Sequence, residues 1–94
     1  MPVTVIATLR CLPGQRHALL PLLDTLRQAT LLEVGCLQYA PNLDPAEPDC
    51  VVMVESWQSQ AALDAHTASR HFQHFRELAA PLLASLDLRL LQPL

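Results

Sequence analysis

Two apolar periods, one of two residues and one of about 3.6, alternate along this chain, and their order leaves few folds open. Val3 to Leu9 is rich in β-branched residues and reads as a first strand. Pro13-Gly14 ends it and opens a helix, where Leu19, Leu22, Leu23 and Leu26 make one apolar face. Pro21 lies inside that helix without a backbone N–H, which predicts a kink or a late start. Glu33 to Ala40 reads as a second strand, and Pro41 to Asp49 is dense in turn formers and reads as a loop. Cys50 to Trp57 is a third strand, so strands two and three form a hairpin with a long connection. Ser59 is a good N-cap for a helix over Gln60–His66. After a break at Thr67-Ala68, another helix spans Ser69 to Leu78, and Pro81 disturbs its end. Leu86, Leu88 and Leu90 then alternate with Asp87 and Arg89, the period of a half-buried strand.

The order is β-α-β-β-α-β with a split second helix. It suits an α+β, ferredoxin-like sandwich, and 94 residues make one domain, 1–94. Helices in such a sandwich cover one face of the sheet only. On the third strand Val51, Met53, Glu55 and Trp57 alternate with Val52, Val54 and Ser56, so both faces are largely apolar. Covering the second face with another sheet removes apolar area worth about 25 cal/mol per Å² from water. We therefore expect a two-fold homodimer with the sheets packed together.

Composition excludes several function classes. The net charge is −3, all six basic residues are Arg, and they are scattered, so no nucleic-acid footprint is present. The N-terminal residues lack the pattern of a signal peptide, and no apolar run is long enough to span a bilayer; the expected location is the cytoplasm, away from membranes. Cys11, Cys36 and Cys50 show no Cys-x-x-Cys spacing and read as reduced packing or surface thiols. With only Gly14 and Gly35, there is no glycine-rich phosphate loop and no Gly-x-Ser-x-Gly elbow.

The chemistry-bearing residues concentrate between Tyr39 and Phe75. His66 ends a short helix beside Ala62 and Leu63, where it reads as a packing histidine or as a base facing a pocket. His71, His74, Phe75 and Leu78 share a helical stripe, with Phe72 and Phe75 on the adjacent one. Such stripes are commonly core; here they can also wall a pocket for a flat substrate. His71 and His74 alone do not make a metal site, and none is expected. Tyr39 can donate a hydrogen bond to a substrate oxygen, and Trp57 can close the pocket or the core. Glu55 shares a strand face with Trp57 and Met53; an inward carboxylate needs a partner, and Arg10 or Arg89 is expected to form a structural ion pair with it. His17 is expected to face solvent.

The run Glu55-Ser-Trp57, then Ala62-Leu63-x-x-His66, then His71-Phe72-x-x-Phe75, preceded by Glu33-Val-Gly35-Cys36-Leu-Gln-Tyr39, resembles the antibiotic biosynthesis monooxygenase family. The resemblance implies the ferredoxin-like fold, a homodimer, and oxidation of a quinol or polyphenol-like aromatic by molecular oxygen without metal, flavin or other cofactor. On that reading His66 or His71 is the catalytic base, while Tyr39, Trp57, Phe72, His74 and Phe75 bind substrate. Relatives on the same scaffold imply two alternatives, isomerisation of a small keto compound and a non-catalytic dimeric ligand-binding role. Haem degradation fits less well, since the first strand offers Thr4, Ala7 and Thr8 but no Asn.

Overall fold

The computed structural model describes residues 1–94 throughout. Strand β1 (Val3–Cys11) is followed by helix α1 (Arg16–Thr30), strands β2 (Cys36–Leu43) and β3 (Cys50–Trp57), helices α2 (Gln60–Thr67) and α3 (Arg70–Ala79), a 3₁₀ turn (Ala80–Leu82) and strand β4 (Leu83–Leu91). The sheet is antiparallel in the order β2-β3-β1-β4. This is the expected α+β, ferredoxin-like arrangement, with β1 and β3 central. No helix is long and apolar enough to cross a membrane.

Alternation along the central strands decides which residues meet the helices. Val5, Ala7, Leu9 and Cys11 of β1 and Val51, Met53, Glu55 and Trp57 of β3 all point to the helical side and are buried. Leu19, Leu23 and Leu26 of α1 pack onto them, with Leu22 half-buried alongside, so the predicted leucine face holds. Leu63 of α2 and Phe75 and Ala79 of α3 complete the core. The predicted caps are present: Ser59 Oγ accepts from Ala62 N at 3.1 Å, and Ser69 Oγ accepts from Phe72 N at 3.3 Å.

Four expectations change. Helix α1 is unbroken through Pro21, which lies on its exposed side and deprives the helix of one N–H donor. The second strand begins three residues late and runs through Pro41 to Leu43, residues expected in a loop. An edge strand tolerates the proline because only one side of its ladder needs donors. Glu33, Val34 and Gly35 instead form the turn into β2, with Gly35 at φ +87°. Strand β4 is exposed rather than half-buried: Leu86, Leu88 and Leu90 sit opposite Leu9, Ala7 and Val5 on the helical side, beyond the cover of the helices.

Candidate functional site

The uncovered strip beside β4 opens a cavity of about 590 Å³ between sheet and helices. Its walls are mainly apolar. Met53, Leu63, Phe72 and Phe75 line the interior, and the exposed leucines of β4 stand at the rim. Three buried polar side chains reach the wall from three elements: Tyr39 from β2, Glu55 from β3 and His66 from α2. Tyr39 and Glu55 are cross-strand partners, with Val5 of β1 on the other side of Glu55.

His66 is 1% exposed and held on all sides. Its ring lies 4.7 Å from that of Trp57, 4.8 Å from Phe72 and 5.2 Å from Tyr39, centroid to centroid. Nδ1 is 2.7 Å from Glu33 Oε2. A carboxylate accepts only, so Nδ1 carries the hydrogen and Nε2 keeps its lone pair. The same Glu33 oxygen accepts from His71 Nε2 at 3.0 Å. Burial pushes the His66 pKa below its ordinary 6.5, against the raising effect of Glu33's hydrogen bond and charge. A neutral imidazole with a fixed tautomer is a competent proton acceptor.

Glu55 is 5% exposed and accepts the Trp57 indole N–H through Oε1 at 3.0 Å. The expected ion pair is absent. Arg10 pairs with Glu47 at 3.6 Å, and Arg89 stands opposite Ile6 on the other face of the sheet. Alternation dictates this outcome, because both arginines are out of phase with the inward residues of their strands. Without a cation, burial raises the Glu55 carboxyl to about 7, against the lowering effect of the Trp57 hydrogen bond. Burial, followed by the charges of Glu55 and Glu33, raises the Tyr39 hydroxyl well above its ordinary 10.

The structure brings together most of the residues singled out from sequence. Tyr39, His66, Phe72 and Phe75 line the cavity; Trp57 stands behind them, fully buried, holding Glu55 and stacking on His66. His71 reaches Glu33 and not the cavity. His74, expected to bind substrate, is exposed and off the cavity; α3 buries the stripe of Phe75 and Ala79, and His74, one residue before Phe75, falls outside it. Glu33 was not anticipated as a site residue. Gly35, two residues later, was the available sign that this carboxylate belongs to a turn and not to a strand. Glu33, His66 and His71 are also the one trio whose ligand atoms, within 4.8 Å of one another, could hold a metal ion. The 2.7 Å contact between Glu33 and His66 is shorter than the roughly 3.3 Å between ligands around tetrahedral zinc, and it fits a hydrogen bond.

Residues 2–78 match the family described as antibiotic biosynthesis monooxygenase. The chain is 37% identical to the probable quinol monooxygenase YgiN of Escherichia coli K12 over 101 aligned positions, covering 97% of each protein. Its fold superposes on the structure of Rv0793 from Mycobacterium tuberculosis with a TM-score of 0.93 at 34% identity, covering 100% of this chain and 96% of that one. PA3566 from Pseudomonas aeruginosa gives a TM-score of 0.93 at 34% identity, with 99% and 94% coverage. The chain thus belongs to the antibiotic biosynthesis monooxygenase family.

Proposed function

We propose that this chain is a cofactor-independent monooxygenase acting on a quinol or polyphenol-like small aromatic, with molecular oxygen as co-substrate. The observation that carries the reading is the Glu33–His66 dyad at the wall of an apolar cavity, with Nε2 left free to take a proton. The likeness to YgiN, itself described as a probable quinol monooxygenase, supports the substrate class.

His66 Nε2 takes the hydroxyl proton of the substrate, and Glu33 stabilises the resulting imidazolium through Nδ1–H. Tyr39 O–H donates to the phenolate oxygen. The phenolate passes one electron to oxygen, and the two radicals join at a ring carbon. Phe72 and Phe75 hold the ring flat and keep water out. The substrate supplies all the electrons, so no external reductant is needed.

In this reading residues 1–94 act as one domain, in the cytoplasm, as a two-fold homodimer with the sheets packed face to face. Ile6, Val52 and Val54 support the pairing: they stand half-buried on the sheet face that the helices leave bare. Sedimentation equilibrium at twice the monomer mass is the expected result.

The activity test is oxygen uptake with a panel of hydroquinones and polyphenols. Removing a general base lowers kcat by roughly 10²–10⁴-fold, so a folded His66→Ala variant should fall that far. Turnover of a keto substrate without oxygen uptake would replace the reading with isomerisation, in which the same His66 moves a proton between carbons.

A further inference from the structure

Glu55 is not needed for the first proton transfer, yet its placement is costly. A carboxyl 95% removed from solvent has no cation opposite it and one hydrogen bond, from Trp57 to Oε1. Oε2 has no protein donor, and the residue lines the cavity. The titratable side chains that feel its charge are Tyr39 and Cys36 from β2. His66 and the exposed Asp64 of α2 and the exposed Arg76 of α3 line the same cavity, while β1 offers Val5 and Ala7 and β4 offers Leu88 and Leu90. A structural carboxylate at this place would be served better by an arginine or by a buried apolar residue.

Resting on the monooxygenase reading above, we propose that Glu55 is the second catalytic residue, acting first as the acid and then as the base on the ring-bound peroxide. Oxygen addition leaves a peroxide anion on a ring carbon that still carries its hydrogen. The Glu55 carboxyl gives its proton to the distal peroxide oxygen. The carboxylate then removes the hydrogen of that carbon, and the C–H electron pair becomes the second bond of a new carbonyl. The O–O bond breaks and hydroxide leaves. His66 returns the phenolic proton to it, making water. One substrate C–H and one phenolic O–H plus oxygen become two C=O groups plus water, and Glu55 and His66 end as they began. Without an acid and base at this position, the second ring hydroxyl gives up its proton and its electrons expel the peroxide from the ring; that proton and the one held by His66 complete hydrogen peroxide, leaving the quinone.

The near-neutral pKa of Glu55 agrees with an acid that must also act as a base, and the cycle requires it protonated at the start. A Gln at 55 keeps the shape and an acceptor for Trp57 but carries no exchangeable carboxyl proton. We expect Glu55→Gln to consume oxygen with a 1,4-naphthalenediol while at least ~10-fold less labelled oxygen enters the ring, with hydrogen peroxide made in its place. Labelled-oxygen incorporation in the wild type should decline as pH rises through about 7, and the variant should lack that limb. Trp57→Phe, which removes the N–H donor and keeps the carboxyl, should move the limb to higher pH. Equal ring incorporation in wild type and Glu55→Gln would overturn the proposal. Wild-type protein that consumes no oxygen with any substrate would overturn the monooxygenase reading beneath it, so the two failures are distinct.

Discussion

Replacing Glu55 by Gln should change stability by an amount that grows with pH. Burial moves this carboxyl from 4.5 to about 7, so folding favours its protonated form. Between those two values the native state holds more protons than the unfolded chain, and stability falls as pH rises. At about 1.4 kcal/mol per pH unit, the loss reaches about 3 kcal/mol by about pH 8. Gln has no proton to lose, so the substitution should be near neutral at about pH 4.5 and stabilising by up to about 3 kcal/mol at about pH 8. His66 acts in the opposite sense. Its folded value is lowered, so its contribution is present above 6.5 and is lost as pH falls. It is common to both proteins and cancels in the difference. Urea unfolding followed by the fluorescence of Trp57, the single and fully buried tryptophan, measures the effect. A difference between the two proteins that stays constant with pH, or a variant weaker at high pH, would refute the reasoning.

Glu33→Gln removes the charge behind His66 while leaving the cavity wall intact; kcat should fall about 10²-fold with KM little changed, and the acidic limb of the profile should move to lower pH, because Glu33 raises the His66 pKa. Gly35→Ala places a Cβ 2.7 Å from Ala62 Cβ at a backbone φ of +87°. About 1–3 kcal/mol of stability should be lost in a urea titration, and the displaced α2 should carry His66 with it and lower kcat. His74→Ala, on the exposed side of α3, should stay within about 0.5 kcal/mol of wild type and keep its activity; a large loss of turnover would return this histidine to the site.

The central layers of the fold were legible because their cause is periodic. Alternation in β1 and β3, the leucines of α1 and the serine caps of α2 and α3 are local signals, and each appears in the structure. The start of β2 was misread because Glu33-Val34 has strand-like character, while Gly35 with positive φ overrides it. The exposure of β4 was invisible for a different reason. Its alternation is correct, but whether the helices reach that far depends on where α2 and α3 cross the sheet. The same limit applied to the site. Tyr39, His66, Phe72 and Phe75 were identifiable by type and position, whereas the Glu33–His66 contact spans 33 residues and no spacing rule encodes it. The expected partner of Glu55 failed on strand phase, which was readable for Arg89 against Leu88 and Leu90.

Burial drives two of the cavity's titratable groups toward neutrality from opposite sides, and this constrains the chemistry the cavity can support. Desolvation lowers His66 and raises Glu55, so near neutral pH an uncharged imidazole and a carboxyl about half protonated share one apolar wall. Arg76 of α3 is the one basic side chain in the cavity's lining; it is exposed and pairs with neither Glu55 nor His66, so an ionised substrate at the buried wall would lack a paired cation. Under the proposed function, a neutral phenol would enter without that penalty and become an anion only when His66 becomes a cation beside it, with Glu33 hydrogen-bonded to Nδ1 to stabilise the new charge. The Tyr39 hydroxyl and the protonated fraction of Glu55 can donate to the oxygen anions that follow. A fixed cation in place of Glu55's indole partner would hold it ionised through the cycle, repelling both phenolate and peroxide. On the proposed cycle, a single hydrogen bond from Trp57 to Oε1 leaves Oε2 without a protein donor, so the Glu-x-Trp pair would present an acid rather than a charge.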